Sequence, residues 1–200
     1  SGMAVNVDEA LEIANRIGYP VMVRPSYVLG GRGMEIVHDD EMMKVYMAAA
    51  VGVTPDRPIL IDRFLHHATE CEADAISDGK NCFVPAVMEH IELAGVHSGD
   101  SACILPSKNL TEKQVETIKD YTRKIAVEMN VCGLMNMQYA IEDDTVYVLE
   151  ANPRASRTVP LVSKVCSINM VQIATQIITS SLTGKPSPVP ELRDHKINHY

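Results

Sequence analysis

The run LMNMQYAI at 134–141, the acidic triplet EDD at 142–144 and the run VYVLEANPR at 146–154 decide how this chain is read. Two predicted strands flank a short acidic turn. Glu150 and Asn152 are two residues apart on the second strand, so their side chains share one face. Gln138 reaches that face from the partner strand. A carboxylate flanked by two amide oxygens is an all-oxygen ligand set. It suits Mg²⁺, a hard cation that keeps some waters and is completed by substrate phosphates. Arg154, just beyond the strand, adds a cation where anionic oxygens would lie. Each of these residues alone reads as the solvated edge of a hairpin. Four of them converging on one face favour a site.

The chain has 200 residues, enough for one large domain or two small lobes, and its 46% hydrophobic content suffices for a core. Aromatics are sparse, with two Phe and no Trp, so eleven Met together with Val, Ile and Ala fill the interior. A net charge of −8 without any basic run argues against binding nucleic acid. It leaves nucleotide binding open, because a local Arg cluster suffices for a triphosphate. The five Cys (71, 82, 103, 132 and 166) form no C-x-x-C pair, a scatter that suggests reduced thiols and a cytoplasmic protein. No apolar run is long enough to span a bilayer, and no signal peptide opens the chain, so no membrane role is expected. Both ends read as cuts in a longer polypeptide, with 186–200 as a linker to a further domain.

Asn6 to Glu9 reads as a capped helix start, followed by the stripe Ala10, Leu11, Ala14 and Ile17, with Gly18 and Pro20 as the stop. Val21–Val23, Met34–Val37 and Pro58–Asp62 are expected strands, and a helix capped by Asp39 or Asp40 runs to about Ala50. Glu70–Ile76 and Cys82–Val87 are expected to pair around Gly79. Residues 89–108 read as loop-rich. Thr111 and Gln114 form a capping box that opens a long helix through Val115, Ile118, Tyr121, Ile125 and Met129. Helices near 160–166 and 168–182 follow the hairpin. Antiparallel hairpins with helices between them imply an α+β fold, divided as a small lobe at 1–65 and a larger lobe at 66–185.

The loop Gly30-Gly-Arg-Gly33 joins two strands, where glycines let backbone N–H groups approach an anion. It lacks the strand-to-helix setting of a Walker A or dinucleotide motif. Alone it reads as a hairpin turn; Arg24, on the strand that feeds it, tilts it toward phosphate contact. His97 lies in a polar loop. His66 and His67 are read as surface residues. Glu89 and Glu92 flank His90 and resemble an acid–base pair, with structural roles at least as well supported. The cysteines are read as core or incidental.

Several segments, in order, resemble one family. They are VRPSYVLGG at 23–31, MEHIE at 88–92, AGVHSGDS at 94–101, GLMNMQ at 133–138 and EANPRASRTVP at 150–160. Together they are similar to the ATP-grasp domain of the large subunit of carbamoyl phosphate synthetase, over nearly the whole chain. The wording of the first, second and last looks like the second half of that subunit, which phosphorylates carbamate, rather than the first, which phosphorylates bicarbonate.

The resemblance implies two α+β lobes with antiparallel sheets gripping ATP. It implies that Gln138 and Glu150 bind one Mg²⁺ (or Mn²⁺), and Glu150 with Asn152 a second. Arg24 would touch nucleotide phosphates beneath a flap containing Gly30 and Gly31. Arg63 and Leu65 would lie in the hinge that reads adenine, and Glu70 would hold the ribose hydroxyls. Gly95, Val96, His97 and Ser98 would sit beside the nucleotide. Arg154 and Arg157 would face carbamate or the transferring phosphoryl group. The implied product, carbamoyl phosphate, feeds arginine and pyrimidine synthesis. The implied partners are the remaining domains of the large subunit and the small glutamine amidotransferase subunit.

The family's N-terminal pre-ATP-grasp subdomain, which contributes to the nucleotide pocket, has no counterpart in this sequence. The excised piece is therefore expected to be a weak catalyst or inactive. Three other readings stand beside this one: the bicarbonate-phosphorylating half, another ATP-grasp ligase of the carboxylase type, and a nucleotide-binding fragment without turnover.

Overall fold

The computed structural model describes residues 1–26, 33–53, 58–96, 98–184, 187–189 and 192. The chain divides into two compact units, Ser1–His66 and His67–Tyr200.

The first unit contains the strands β1 (Gly2–Ala4), β2 (Val21–Pro25), β3 (Glu35–Val37) and β4 (Ile59–Arg63), and the helices α1 (Val7–Ile17) and α2 (Asp40–Val53). The strands form an antiparallel sheet in the order β1-β4-β2-β3. Val21, Val23, Ile59 and Ile61 point to one face and pack with Ala10, Ile13 and Ala14 of α1 and Met43 and Met47 of α2. The side chain of Asn6 accepts the Glu9 N–H and so caps α1; the Asp39 carboxylate accepts the Met42 N–H at the start of α2. Each such cap contributes about 1 kcal/mol. Strand β1 has no counterpart in the expectation from sequence, since three residues show no period.

The second unit is built on β5 (Thr69–Asp78), which pairs along its whole length with β9 (Cys132–Glu142). Strand β10 (Thr145–Asn152) lies outside β9, while β6 (Cys82–Phe83) and β7 (Met88–His90) share the opposite edge of β5, and β8 (Cys103–Ile104) lies beyond β7. Its helices are α3 (Glu112–Glu128), α4 (Val159–Val165) and α5 (Met170–Thr183). Two expectations are corrected. The strand foreseen over Cys82–Val87 stops at Phe83, and 84–87 are irregular; the loop foreseen from 89 contains parts of β7 and β8. Strands β6 and β7 are short because they share one edge of β5 in turn.

Alternation assigns the two faces of this sheet. Cys71, Ala73, Ala75, Met135, Met137 and Tyr139 pack with Ile118 and Ala126 of α3. On the other face, Ile76, Leu134 and Met88 pack with Val159 and Val162 of α4 and Met170 and Ile177 of α5. Fully burying such aliphatic side chains contributes about 1.5–3 kcal/mol each. The close approach of α5 needs Gly133: at φ 115°, a Cβ there would meet Ile178 Cδ1 at 3.3 Å. The remainder of this second face is polar.

Candidate functional site

Strand β5 alternates so that Glu70, Glu72 and Asp74 share the polar face. Register extends that face across neighbouring strands. Glu150 lies opposite Gln138, which lies opposite Glu72; Asn152 lies opposite Asn136, which lies opposite Asp74. The pairing shifts between Val148 and Glu150, a β-bulge at Leu149. Gln138, Glu150 and Asn152 are thereby brought to one face and offer oxygen donors from adjacent strands. That donor set fits a hard divalent cation.

The centre of this face is dry. Glu72, Asp74, Asn136 and His90 are at most 5% exposed, and charges at such sites persist only when paired. His90 lies between two carboxylates, with Nε2 3.3 Å from Glu72 Oε1 and Nδ1 3.4 Å from Glu70 Oε2. The second contact is an ion pair without hydrogen-bond geometry. Glu70 Oε1 accepts the Gly95 N–H at 3.0 Å. Asn136 Nδ2 donates to Glu72 Oε2 at 3.1 Å and to Asp74 Oδ1 at 3.0 Å. Ser156 and Thr158 donate to the two oxygens of Asp74, each at 2.7 Å. Arg157, the residue between them, places Nη2 3.7 Å from Glu72 Oε1 and donates to the Ser101 carbonyl at 3.1 Å.

Titration follows these contacts. Its contacts with Cys103 and with the Glu70 and Glu72 carboxylates push His90 up to about 11. Burial would raise Glu72, yet its bonds with His90, Asn136 and Cys103 prevail and hold it below the usual carboxylate range. Glu70 is likewise lowered: burial opposes, while His90 and the Gly95 N–H prevail. Asp74 goes the other way, because burial outweighs its three donors. The cluster is thus an imidazolium between two carboxylates. The donor atoms of Glu72, His90 and Cys103 lie within 4.8 Å of one another. The Arg157 guanidinium, 3.7 Å from both Glu72 Oε1 and Cys103 Sγ, already supplies a cation there.

The other residues singled out in the sequence separate into groups. Glu70 and Gly95 meet directly. Val96 is exposed, and Ser98 opens a short 3₁₀ turn to Asp100. Arg154 donates to its neighbour Ala155, so Arg157, rather than Arg154, joins the buried cluster. In the first unit, Arg24 Nε lies 3.4 Å from Asp62 Oδ2, Arg63 ends β4 with an exposed side chain, and Leu65 follows half-buried. Gly30, Gly31 and His97 lie outside the described residues, as do most of 186–200. Glu89 and Glu92 serve the backbone: Glu89 accepts the N–H groups of Lys108 and Asn109, and Glu92 that of Ala102.

Residues 1–183 match the family model described as the carbamoyl-phosphate synthase L chain, ATP binding domain. The chain belongs to this family. It is 58% identical over 178 residues to the carbamoyl phosphate synthase large chain of Methanocorpusculum labreanum, covering 89% of this chain and 17% of that protein. The large chain of Archaeoglobus fulgidus is 57% identical, with 89% and 16% covered. The chain therefore spans about a sixth of these relatives. Among solved structures, it resembles the biotin carboxylase domain dimer of Hydrogenobacter thermophilus 2-oxoglutarate carboxylase, a complex with MgADP, ADP and bicarbonate. The TM-score is 0.71 at 23% identity, over 88% of this chain and 40% of that one. That likeness establishes the fold, an α+β ATP-grasp fold.

In this ATP-grasp family member, sequence reasoning passed over Glu72, Asp74, Asn136, Ser156 and Thr158, and gave His90 no role beyond being flanked by Glu89 and Glu92. The alternation Glu70-Cys-Glu72-Ala-Asp74 was the available signal. A carboxylate every second residue reads as a solvated face, and only the contacts of Glu72 with His90 and Asn136 and of Asp74 with Asn136, Ser156 and Thr158 show that it is buried.

Proposed function

We propose that this chain is the nucleotide-binding part of the second half of a carbamoyl phosphate synthase large chain, where carbamate is phosphorylated by Mg-ATP. The observation that carries the reading is Glu150 opposite Gln138 with Asn152 on the same face. Gln138 and Glu150 would hold one Mg²⁺, and Glu150 with Asn152 a second. Bound there, Mg²⁺ would neutralise charge on the nucleotide phosphates.

Phosphoryl transfer needs positioning and charge neutralisation more than a covalent nucleophile. A carbamate oxygen attacks the γ-phosphorus, and the bond to the ADP oxygen breaks. Both partners are anions, so the repulsion must be offset. Arg157, pre-aimed by Glu72 and the Ser101 carbonyl, and Arg154, three residues before it in the chain, are the cations for that task. Glu70, with Gly95 on one oxygen, would take the ribose hydroxyls, beside Val96, His97 and Ser98. The nucleotide roles of Arg24, Gly30, Gly31, Arg63 and Leu65 rest on the resemblance of their segments. Carbamate as acceptor, the small amidotransferase subunit, a cytoplasmic setting and supply of arginine and pyrimidine precursors belong to the same reading. So does weak or absent turnover by the excised piece.

The test is calorimetric titration of the chain with ADP, with and without Mg²⁺, in the unsubstituted protein and in Glu150→Gln. Mg²⁺-dependent binding should be present in the first and lost in the second. Equal Mg²⁺-dependent binding in both overturns the metal assignment.

A further inference from the structure

His90 touches two carboxylates with two different ring atoms, and those carboxylates lead in different directions. Glu70 is held at one oxygen by the Gly95 N–H and faces Nδ1 with the other. Glu72 is held at Oε2 by Asn136, and its Oε1 receives His90 Nε2, the Cys103 thiol at 3.3 Å and the Arg157 guanidinium. A carboxylate anchored at both oxygens has a fixed plane. Glu70 and Glu72, two apart on one face, would repel without the ring between them.

We propose that His90 is a positioning residue with divided duties: Nδ1 sets the Glu70 carboxylate for the nucleotide, and Nε2 sets Glu72, and through it Arg157, for the acceptor. This rests on the proposed function, which makes Glu70 and Arg157 the contacts on those two sides. His90 itself touches neither substrate. One buried ring then serves nucleotide binding and acceptor binding through two separate contacts.

Two near-isosteric substitutions separate the duties. Asparagine places an amide nitrogen where Nδ1 lies, and glutamine places one close to Nε2. The experiment uses the full-length synthetase chain that carries this segment, and reads ATP formation from MgADP and carbamoyl phosphate. His90→Asn should keep MgADP affinity and raise the KM for carbamoyl phosphate about ten-fold. His90→Gln should weaken MgADP about ten-fold and leave that KM near its original value. Ten-fold is the scale of losing one buried contact to a charged group, whether the Nε2 hydrogen bond to Glu72 or the Nδ1 ion pair with Glu70.

A residue that only neutralises buried charge gives the same loss in both variants, and that result overturns the proposal. So does a wild-type level of both constants in both variants. Should a His90 variant fail to fold, Glu72→Gln carries the test: a raised KM for carbamoyl phosphate at unchanged MgADP affinity supports the inference, and any other split overturns it. An unsubstituted chain that makes no ATP from these substrates removes the proposed function and this inference together. An active one with indistinguishable His90 variants removes this inference alone.

Discussion

Glu150 stands directly opposite Gln138 because Leu149 is bulged out of the ladder between β9 and β10. Packing records the same shift: Val146 and Ala151, five residues apart, both pack on the α3 side of the sheet. A regular strand would place residues an odd number apart on opposite faces. The bulge switches parity between them, and Glu150 and Asn152 emerge on the polar face.

Deleting Leu149 takes out the one extra residue and leaves the ladder regular. Val146 and Ala151 are then four apart and both stay on the α3 side, and Glu150 stays opposite Gln138. The deletion should therefore cost no more than about 1 kcal/mol and keep Mg²⁺-dependent ADP binding. Urea unfolding and nucleotide titration of the deletion variant check this; loss of ADP binding in a folded variant would mean that the site needs the bulge itself and not only the register.

The His90 cluster also sets a pH dependence. The folded-state pKa of His90, about 11, lies above its ordinary 6.5. Its contribution to stability is therefore full below about pH 6.5, falls as pH rises and is gone above about 11. Glu70 and Glu72 lie below their ordinary 4.5, so their contribution is present above that value and is lost as pH falls through their lowered range. Urea stability of the wild type and His90→Gln, measured from about pH 6 to about pH 10, should show a gap that narrows as pH rises. A gap of constant size would show that the ring acts without its charge.

What sequence reveals here follows how local each signal is. The caps at Asn6 and Thr111 are legible because a cap needs only a side chain and an N–H three residues on. The 132–152 hairpin is legible from its acidic turn. The three-residue strands β1 and β7 are not, since a period needs more residues than they have. The bulge leaves no residue-type signature, because Leu149 suits a regular strand equally well. Burial of Glu72 depends on His90 and Asn136, and that of Asp74 on Asn136, Ser156 and Thr158, and no window of sequence around β5 contains that information.

Asp74 joins the sheet to the segment that carries Arg157. Its carboxylate collects Asn136, Ser156 and Thr158. Asparagine at this position keeps one acceptor oxygen, and the hydroxyl facing its new amide can turn to accept. Alanine leaves Asn136 only Glu72, and leaves the Ser156 and Thr158 hydroxyls only each other. Asp74→Asn should therefore cost no more than about 1 kcal/mol, and Asp74→Ala about 3 kcal/mol or more. Denaturant midpoints of the two variants decide, and equal losses would show that charge rather than acceptor geometry holds the segment.

The opposite face offers a cleaner pair. Tyr139 is fully buried, and its hydroxyl lies 2.7 Å from Thr122 Oγ1, which donates in turn to the Ile118 carbonyl at 2.8 Å. With the threonine proton committed to that carbonyl, Tyr139 is the donor between the two. Tyr139→Phe then removes a donor and strands none, so it should cost about 1 kcal/mol. Thr122→Val removes the acceptor and leaves the Tyr139 hydroxyl only the Ile118 carbonyl at 3.4 Å, a long contact. It should cost more than the phenylalanine, about 2 kcal/mol. Once the threonine is gone, the tyrosine hydroxyl has no good partner to lose, so the double variant should be no less stable than Thr122→Val alone. A double-mutant cycle on urea midpoints measures this, and strictly additive losses would mean that the two hydroxyls do not interact.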